Sequence, residues 1–407
     1  MAFDLPFSPK TPPLIGLDIG SSSVKIVELS EAGKGVMRLE RYAIEPLPRG
    51  AVVDGNIDKI DVVADAVKRA WRKAGGKVRN AAMALPASAV ITKRIALPAN
   101  LREEELEMQV ESEANQYIPF ALDEVSLDFQ VMGLIAASRK EKVEDRIAVA
   151  QAAGLKPVVV DVESYASRAA IERLVQQLPN GGEGLVIAVF YIGANTTSVT
   201  VMHDGEAIYE REQPFGGQQL TGDISRTYGI PTEEAEQKKR SGDLPVNYES
   251  DVLRPFVEAA VTEITRALQF FFTSTPYTRI DQIMLSGGSA ILTGLADELM
   301  ERAQVPTSVI SPFKGMEIAG AVREKQLRLD APGLLVLSEI WYPGWQARDN
   351  GHPAQIVRTG AFGIVAGKGV SAAGAGAAEG AAQSGGGEAK AKDEDVVDAD
   401  YKEVKRG

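Results

Sequence analysis

Three things are scarce in this chain of 407 residues: cysteine, histidine and long apolar runs. It has no cysteine, which excludes disulfides, thiolate catalysis and cysteine-ligated zinc. Its two histidines, His203 and His352, are too few for a histidine-based zinc cluster and argue against a catalytic triad. No apolar run approaches the ~18 residues that a membrane-spanning helix needs, so we expect none.

Positive charge is also in short supply. The 44 lysines and arginines face 56 acidic residues, and the net charge of −12 argues against a nucleic-acid partner bound through a broad basic face. This net charge does not exclude a local basic pocket for a nucleotide. The N-terminal stretch lacks the basic and apolar regions of a secretion signal. We therefore expect an acidic cytoplasmic protein, long enough for two or more domains at about 150 residues each.

A duplicated pattern organises the chain. LDIGSSSV at residues 17–24 and YIGANTTSV at residues 191–199 both run from an apolar strand through Ile-Gly into a polar turn. Each opens three strand-like stretches followed by a helix-like one, such as the amphipathic stretch at residues 60–75. Two copies of a strand–strand–strand–helix unit predict an α/β protein with two related halves.

The first turn has the composition of a phosphate-binding hairpin. Its tip, Gly-Ser-Ser-Ser at residues 20–23, would offer backbone N–H groups and hydroxyls to an anion without side-chain bulk. Lys25 can return a positive charge to the phosphates, and Asp18, at a strand end, could hold a hydrated Mg²⁺. Either hairpin alone could be a Ser/Thr-rich surface turn. Two in-register copies favour a pair of hairpins that grip a polyphosphate from both sides of a cleft.

Three further stretches carry candidate chemistry. At residues 286–288 a buried strand ends in Ser-Gly-Gly and a helix is predicted to begin at once; this is either a platform for a planar ring or ribose or an ordinary turn. Glu236 and Lys239 face one way on a helix, where a surface ion pair is the simplest interpretation. Asp161 and Glu163 close a strand, and Glu163 either orients a metal-bound water or caps the next helix.

In this order, these elements resemble the actin/Hsp70/hexokinase superfamily of ATPases, whose signature is two phosphate hairpins, two connecting helices and an adenosine-binding glycine turn. Within it the chain is most similar to the PilM family of type IV pilus assembly and to its relatives in type II secretion. The resemblance covers about residues 11–335, and EANQYIPF at residues 113–120 is specific to this branch. It implies an actin-like, duplicated ribonuclease H-like two-lobe fold with a 1C-type subdomain insertion, as in the cell-division protein FtsA.

The resemblance also implies roles for individual residues, with ATP and Mg²⁺ as cofactors. The first phosphate motif would be Asp18, Gly20, Ser21, Ser22, Ser23 and Lys25, with Asp18 as the metal ligand. The second would be Gly193, Thr196 and Thr197. Gly287 and Gly288, with Glu236 and Lys239, would hold the adenosine, and Glu163 would be the catalytic carboxylate.

The expected domain boundaries follow the same comparison. They are a leader at 1–13, subdomain 1A at 14–79 and 154–181, a shortened subdomain 1C at 80–153, subdomain 2A at 182–228 and 252–335, a 2B element at 229–251, a tryptophan-containing extension at 336–365 and a tail at 366–407. The tail is rich in Gly, Ala and charge, and we expect it to be disordered because it cannot bury enough apolar surface.

The chain departs from the family pattern in three places. Tyr191 stands where the superfamily usually has an aspartate, which removes a carboxylate useful for hydrolysis rather than for grip. We expect the 1C subdomain to be shortened, without the loop and much of the strand usually found before its last helix. The extension, with Trp341 and Trp345, does not have the pattern of the family's closing helix; it is either a poorly packed addition or a docking patch.

The resemblance implies a cytoplasmic ATP-binding scaffold, peripheral to the inner membrane. Such a protein would bind the short cytoplasmic N-terminal tail of a PilN-like membrane partner in a groove between subdomains 1A and 1C, beside other pilus platform proteins. Strands near 91–97 and the helix end at 117–120 are candidate walls of this groove. One alternative is a working ATPase or sugar kinase, which needs a carboxylate base that Tyr191 does not supply. Another is an FtsA-like membrane tether, although the acidic tail has no wide apolar face.

Overall fold

The structure, a computed structural model, describes residues 13–33, 36–95, 103–130 and 134–322, together with Leu327 and two short strands nearer the C-terminus. Most of the predicted leader, both tryptophans of the extension and the whole predicted tail lie outside the described residues. Within the extension, β17 (Ala347–Asp349) and β18 (His352–Ala354) form an antiparallel hairpin.

The first lobe is built on a six-stranded sheet. Its strands are β1 (Ile15–Ile19), β2 (Ser23–Gly33), β3 (Val36–Pro46), β6 (Asn80–Leu85), β10 (Lys156–Val162) and β16 (Glu317–Ile318), and a ribbon of β4 (Val52–Val53) and β5 (Asn56–Ile57) precedes helix α1 (Ile60–Ala74). The strand order is β10-β6-β1-β2-β3-β16. The first three strands pair antiparallel, whereas β6 runs parallel to β1 and β10 parallel to β6.

The second lobe repeats this order and direction of strands. Its strands are β11 (Val186–Ile192), β12 (Thr197–His203), β13 (Glu206–Gln213), β14 (Gln282–Ser286) and β15 (Thr307–Val309), and its helices are α5 (Gly217–Tyr228), α6 (Thr232–Ser241), α7 (Arg254–Ser274) and α8 (Leu295–Ala303). The order β13-β12-β11-β14-β15 has the same three antiparallel strands, followed by two parallel additions. The predicted duplication is therefore present in the sheet topology as well as in the sequence.

A smaller unit is inserted into the first lobe. It consists of β7 (Ile91–Arg94), α2 (Glu103–Tyr117), β8 (Val125–Gln130) and β9 (Leu134–Arg139), and α3 (Lys140–Ala152) leads back from it to the large sheet. The three strands pair antiparallel in the order β7-β9-β8. A six-residue strand, β9, precedes the last helix and runs straight into α3.

Local sequence explains the elements that flank the large sheets. In α1, Val63, Ala66, Val67 and Ala70 recur at helical spacing and are buried against the first sheet. The helix ends at Gly75, whose φ of 65° is left-handed and whose N–H bonds the carbonyl of Arg72. In the second lobe, α7 is longer and packs a wider apolar face, including the fully buried Phe271, on the sheet.

Helix α4 (Glu163–Val175) joins the two lobes. It starts directly after β10, and Ala166 near its start packs within the first lobe. Further along, Ala170, Ile171 and Leu174 are buried against the second sheet. The end of β10 is therefore held where both lobes meet. Among the described residues, no helix combines the length and the apolar character that a bilayer crossing requires.

Candidate functional site

A cleft of about 1810 Å³ lies between the two lobes. The predicted site residues that line it are Asp18, Gly20, Ser21, Ser22, Ser23, Lys25, Glu163, Gly193, Thr196, Glu236, Lys239 and Gly288. They come from the first hairpin of each copy, from the start of α4, from α6 and from the turn after β14, which are far apart in sequence. The duplicated topology brings the two hairpins together, because each copy places its first hairpin turn at the corresponding strand ends of its own sheet.

The first hairpin is a tight turn with an ion pair at its base. The N–H of Gly20 bonds the carbonyl of Ser23 at 3.1 Å, which closes the turn between β1 and β2. Asp18 and Lys25 lie directly opposite each other across these strands, so their side chains share one face. The Lys25 Nζ donates to the Asp18 carboxylate at 2.5 Å. Burial alone would lower the pKa of Lys25, but the charge and hydrogen bond of Asp18, together with Tyr191 and Glu163, raise that pKa, so the lysine stays cationic.

The second hairpin closes in the same way but carries no charge. The N–H of Gly193 bonds the carbonyl of Thr196 at 2.9 Å. Across the strands, Tyr191 faces Ser198, the positions that correspond to Asp18 and Lys25 in the first hairpin. Both hydroxyl-bearing residues line the cleft.

One residue predicted for the second phosphate motif does not face the cleft. Thr197 is buried, and its Oγ1 donates to the carbonyl of Phe215 at 2.7 Å. Alternation along β12 turns this side chain to the core side, whereas its neighbours Thr196 and Ser198 line the cleft. Its hydroxyl therefore holds the segment between β13 and α5 and is not directed at a ligand.

The two hairpins touch through Tyr191. The Lys25 Nζ lies 3.4 Å from the Tyr191 hydroxyl oxygen, at hydrogen-bonding distance across the lobes. Burial raises the pKa of Tyr191, so the phenol remains neutral and keeps its proton. The base of the cleft thus holds one carboxylate, one ammonium and one phenol within a single connected group.

Glu163 lies beside this group at the start of α4. Burial, with the nearby Asp18 carboxylate, raises the pKa of Glu163 to about 7, so near neutral pH it exists in both protonation states. Its side chain lines the cleft. Asp161, by contrast, is buried, and its Oδ1 accepts the N–H of Val162 at 2.7 Å. Of the two carboxylates that close the strand, Glu163 is the one available to a ligand.

The two glycines of the turn after β14 have different roles. Gly287 has a φ of 92°, and a Cβ there would lie 2.3 Å from the carbonyl oxygen of Ile192, so this glycine permits β14 to pack against the second hairpin. Gly288 has open space around it and lines the cleft. The prediction of a helix immediately after this turn is wrong. Residues 289–294 form turns, and α8 begins at Leu295.

Glu236 and Lys239 form a half-buried network rather than an isolated surface pair. Lys239 Nζ lies 2.6 Å from Glu236 Oε2, and both bond the hydroxyl of Thr221 on α5, at 2.7 and 2.6 Å. Lys239 also donates to the carbonyl of Gly217 at 3.1 Å. Burial lowers the pKa of Lys239. Burial alone would raise the pKa of Glu236, but the contact with Lys239 and the hydrogen bonds to that carboxylate hold its pKa below the usual value. The network fixes α6 against α5 at the rim of the cleft.

Sequence reasoning missed the glycines that seat α5. A Cβ on Gly216 would lie 2.4 Å from the carbonyl oxygen of Ala194, and the N–H of Gly217 bonds the carbonyl of Gly193 at 3.0 Å. The start of α5 therefore packs directly on the second hairpin. The doubled glycine before a helix-like stretch was a usable signal, because such pairs mark close backbone approach.

Arg146 on α3 is a second residue that sequence reasoning missed. It is 2% exposed and lines the inner end of the cleft. Its guanidinium donates to the carbonyls of Ala84 at 3.1 Å, Gly55 at 2.9 Å and Lys142 at 3.1 Å. Burial lowers its pKa, yet an arginine remains charged at neutral pH, so it adds positive potential behind Asp18 and Glu163. Nothing in its local sequence marks it.

The donor set fits a polyphosphate. Two glycine turns leave room for phosphate oxygens, serine and threonine hydroxyls line both turns, and Lys25 supplies a cation between them. It fits a hydrated metal ion less well, because the Asp18 carboxylate already contacts Lys25 and Tyr191 offers no carboxylate. In the part of the chain that the structure describes, no group of three or more histidine, cysteine, aspartate or glutamate residues is placed to hold a metal.

Comparisons with known proteins agree with this geometry. A family model described as type IV pilus assembly protein PilM matches residues 16–338. A solved structure, the PilM-PilN type IV pilus biogenesis complex, is similar with a TM-score of 0.67 and 27% identity, covering 82% of this chain and 98% of that one. The ethanolamine utilization protein EutJ from Carboxydothermus hydrogenoformans shares the fold, with a TM-score of 0.51 and 19% identity over 83% of this chain and 90% of its own.

A curated relative is more distant. Cell division protein FtsA of Bacillus subtilis (strain 168) is 25% identical over 252 residues, which are 56% of this chain and 57% of the FtsA chain. The match thus spans little more than half of that relative. The family predicted from the phosphate motifs and from EANQYIPF is confirmed by the family model, and so is the actin-like two-lobe fold. The chain belongs to the PilM family of type IV pilus assembly proteins.

Proposed function

We propose that this chain is an ATP-binding scaffold of a type IV pilus assembly platform, or of a related type II secretion platform, located in the cytoplasm and held at the inner membrane through its partners. The observation that carries the proposal is the pair of glycine hairpins facing each other across one cleft, with Lys25 in contact with both. A polyphosphate bound there would contact both lobes at once and so would link them.

Nucleotide binding would act by favouring the closed arrangement of the lobes. A ligand shifts a conformational equilibrium only by its difference in affinity for the two states, and a polyphosphate held from both lobes has such a difference. Helix α4 would transmit the change, since it starts at the cleft and packs on the second sheet. The ion pair of Arg168 on α4 with Glu210 on β13, at 2.9 Å, is a second contact that closure would alter.

The partner we propose is the short cytoplasmic tail of a PilN-like inner-membrane protein. The similar solved structure is a complex of PilM with PilN, which supports this partner for the present chain. The inserted unit offers an edge strand, β7, whose Thr92, Lys93 and Arg94 are exposed. An extended peptide can add to such an edge through main-chain hydrogen bonds. Beside it lie two cation–aromatic contacts, Lys93 over Tyr117 and Arg139 over Phe120.

Hydrolysis, if it occurs, would be slow. Glu163 is the carboxylate that could orient water near the phosphates, and its pKa of about 7 suits proton transfer near neutral pH. Mg²⁺ bound at Asp18 stays a prediction; when bound, such an ion neutralises developing charge on the phosphates. Tyr191 supplies no second carboxylate, so binding is expected to dominate over turnover.

The test is a thermal melt of the full chain with and without ATP. Ligand that binds only the folded state raises the melting temperature. We expect a rise for the unaltered chain and none for Asp18→Ala or Lys25→Ala, with Lys156→Ala, an exposed lysine on β10, as the matched control. An unaltered chain whose melting temperature ignores saturating ATP would contradict the proposal.

The partner is tested separately. A synthetic N-terminal tail of the PilN-like protein, immobilised on beads, should capture the full chain, and ATP should change the captured amount. Failure of capture in both conditions would remove the partner while leaving nucleotide binding standing. The FtsA relative keeps a membrane tether as a second candidate. Flotation of the chain with liposomes in the absence of any partner would favour that role.

A further inference from the structure

We propose that the Tyr191 hydroxyl donates directly to a phosphate of the bound nucleotide, so that this cleft holds ATP without a metal ion bridging its second hairpin. The inference rests on the proposed nucleotide binding and adds how the phosphates are held. It starts from the one position of the second hairpin where this chain departs from the superfamily's usual aspartate.

The phenol is placed to reach a ligand. Tyr191 lines the cleft beside Gly193, and its hydroxyl oxygen lies 3.4 Å from Lys25 Nζ, so the ring extends toward the first hairpin. Ser198, its cross-strand partner, also lines the cleft. The second hairpin therefore presents two neutral hydroxyls on the face where the first hairpin presents an ion pair.

Charge explains why this substitution changes the role of a metal. An aspartate at position 191 would set a negative charge against a negatively charged polyphosphate, and a cation would have to lie between them. A neutral phenol approaches the same oxygen without repulsion and donates a hydrogen bond. Burial raises the pKa of Tyr191, so its proton is retained throughout the neutral range.

The first hairpin does little to replace the missing carboxylate. Asp18 contacts Lys25 at 2.5 Å, so its charge already has a partner. Mg²⁺ in nucleotide sites is held by one or two ionised carboxylates together with the phosphates. Lys25 and Tyr191, which already contact each other across the lobes, are both placed to donate to phosphates at the base of the cleft.

The test is the affinity of the full chain for ATP, measured by calorimetric titration in excess Mg²⁺ and in EDTA. The unaltered chain should bind ATP within about threefold of the same affinity in both conditions. Tyr191→Phe removes only the hydroxyl and should weaken binding in EDTA by roughly ten- to hundredfold, the size of a hydrogen bond to a charged group. Tyr191→Asp should bind poorly in EDTA and recover in Mg²⁺.

Tyr209→Phe is the matched control. It removes the hydroxyl of another tyrosine of the same lobe, whose buried oxygen has no hydrogen-bond partner among the described residues and which does not line the cleft. Its ATP affinity should equal that of the unaltered chain. Binding that needs Mg²⁺ in the unaltered chain, or a Tyr191→Phe variant that binds as tightly in EDTA, would overturn the inference and leave nucleotide binding intact. Absence of ATP binding in every condition would instead remove the proposed function, and this inference with it.

Discussion

The two hairpins of the cleft share the same backbone turn but differ in the chemistry of their side chains. Each closes with a glycine N–H bonded to the carbonyl three residues later, at 3.1 Å in the first and 2.9 Å in the second. At matching cross-strand positions the first carries Asp18 and Lys25, and the second carries Tyr191 and Ser198. Duplication has thus preserved the glycine turn that we propose admits a phosphate, while the side chains beside it have diverged into a charged half and a neutral half.

The hairpins also differ in how they are supported. The second is packed by Gly287 of the turn after β14 and by Gly216 before α5, both at distances that exclude a Cβ. Around Gly20 of the first, a Cβ would meet the carbonyl of Ser23 at 3.3 Å and the flexible end of Lys25 at 3.7 Å. The neutral hairpin is therefore held by close backbone packing, whereas the charged one has an ion pair at its base and a hydrogen bond from the Leu47 N–H to the Ser22 carbonyl at 2.9 Å.

The largest expected effect comes from breaking the support of the second hairpin. Gly287→Ala would force an L-residue to a φ of 92° and place a Cβ 2.3 Å from a carbonyl oxygen. We expect a loss of about 2–4 kcal/mol in the free energy of unfolding, measured by urea denaturation. Gly288→Ala, at the next position and in open space, should change it by less than about 0.5 kcal/mol. Equal losses in the two variants would show that backbone packing does not support this hairpin.

Removing the cation of the first hairpin should act on both binding and stability. Lys25→Met leaves the Asp18 carboxylate without its partner, and we expect a loss of about 1–3 kcal/mol in the free energy of unfolding. ATP affinity should fall by roughly a hundredfold, since a charge-assisted contact to phosphate is lost. Calorimetry and urea denaturation measure the two effects, and Lys156→Met is the matched control. An unchanged ATP affinity would assign the charge of the first hairpin to stability alone.

Glu163 makes the charged half sensitive to pH. A carboxyl whose pKa is raised to about 7 on folding binds its proton more tightly in the folded state, so its contribution to stability falls as pH rises from about 4.5 to 7. Glu163→Gln removes this fall, and relative to the unaltered chain the variant should gain about 1–3 kcal/mol above pH 7 and little below pH 4.5. Glu172→Gln, further along α4, is the control. Parallel stability curves for Glu163→Gln and the unaltered chain would contradict the assignment.

The smallest effect compares the two turn glycines directly. A Cβ on Gly193 would lie 2.9 Å from the Thr196 carbonyl, whereas one on Gly20 would lie 3.3 Å from the Ser23 carbonyl. Gly193→Ala should therefore lower the free energy of unfolding by about 1 kcal/mol and Gly20→Ala by a few tenths at most, about the resolution of careful thermal melts. The reverse order would mean that the first turn is the more tightly packed one.

Much of this comparison was predictable because it depends on short, local sequence patterns. The repeated Ile-Gly turn and the strand–strand–strand–helix order predicted a duplicated α/β fold, and the small residues at the tips predicted which side chains would line the cleft. Thr197 was the exception within the motif. Its neighbours face the cleft, but alternation along β12 turns Thr197 to the core, and a register difference of one residue cannot be read from composition alone.

What could not be predicted depends on contacts between distant segments. The role of Gly287 depends on a carbonyl 95 positions earlier in the chain, at Ile192. The Glu236–Lys239 pair looked like a surface ion pair until Thr221 and Gly217 of α5 were seen to complete it. Arg146 gave no signal at all, because its partners are backbone carbonyls that any sequence supplies.

We propose that the charged hairpin and the neutral hairpin hold one nucleotide between them. The most direct measurement is a calorimetric titration of ATP into the full chain, Lys25→Met, Tyr191→Phe and the double variant. We predict one ATP bound per chain, weaker binding in each single variant, and a double variant whose loss is not the sum of the two, because Lys25 and Tyr191 contact each other. ATP affinity that is the same in all four proteins would contradict the account.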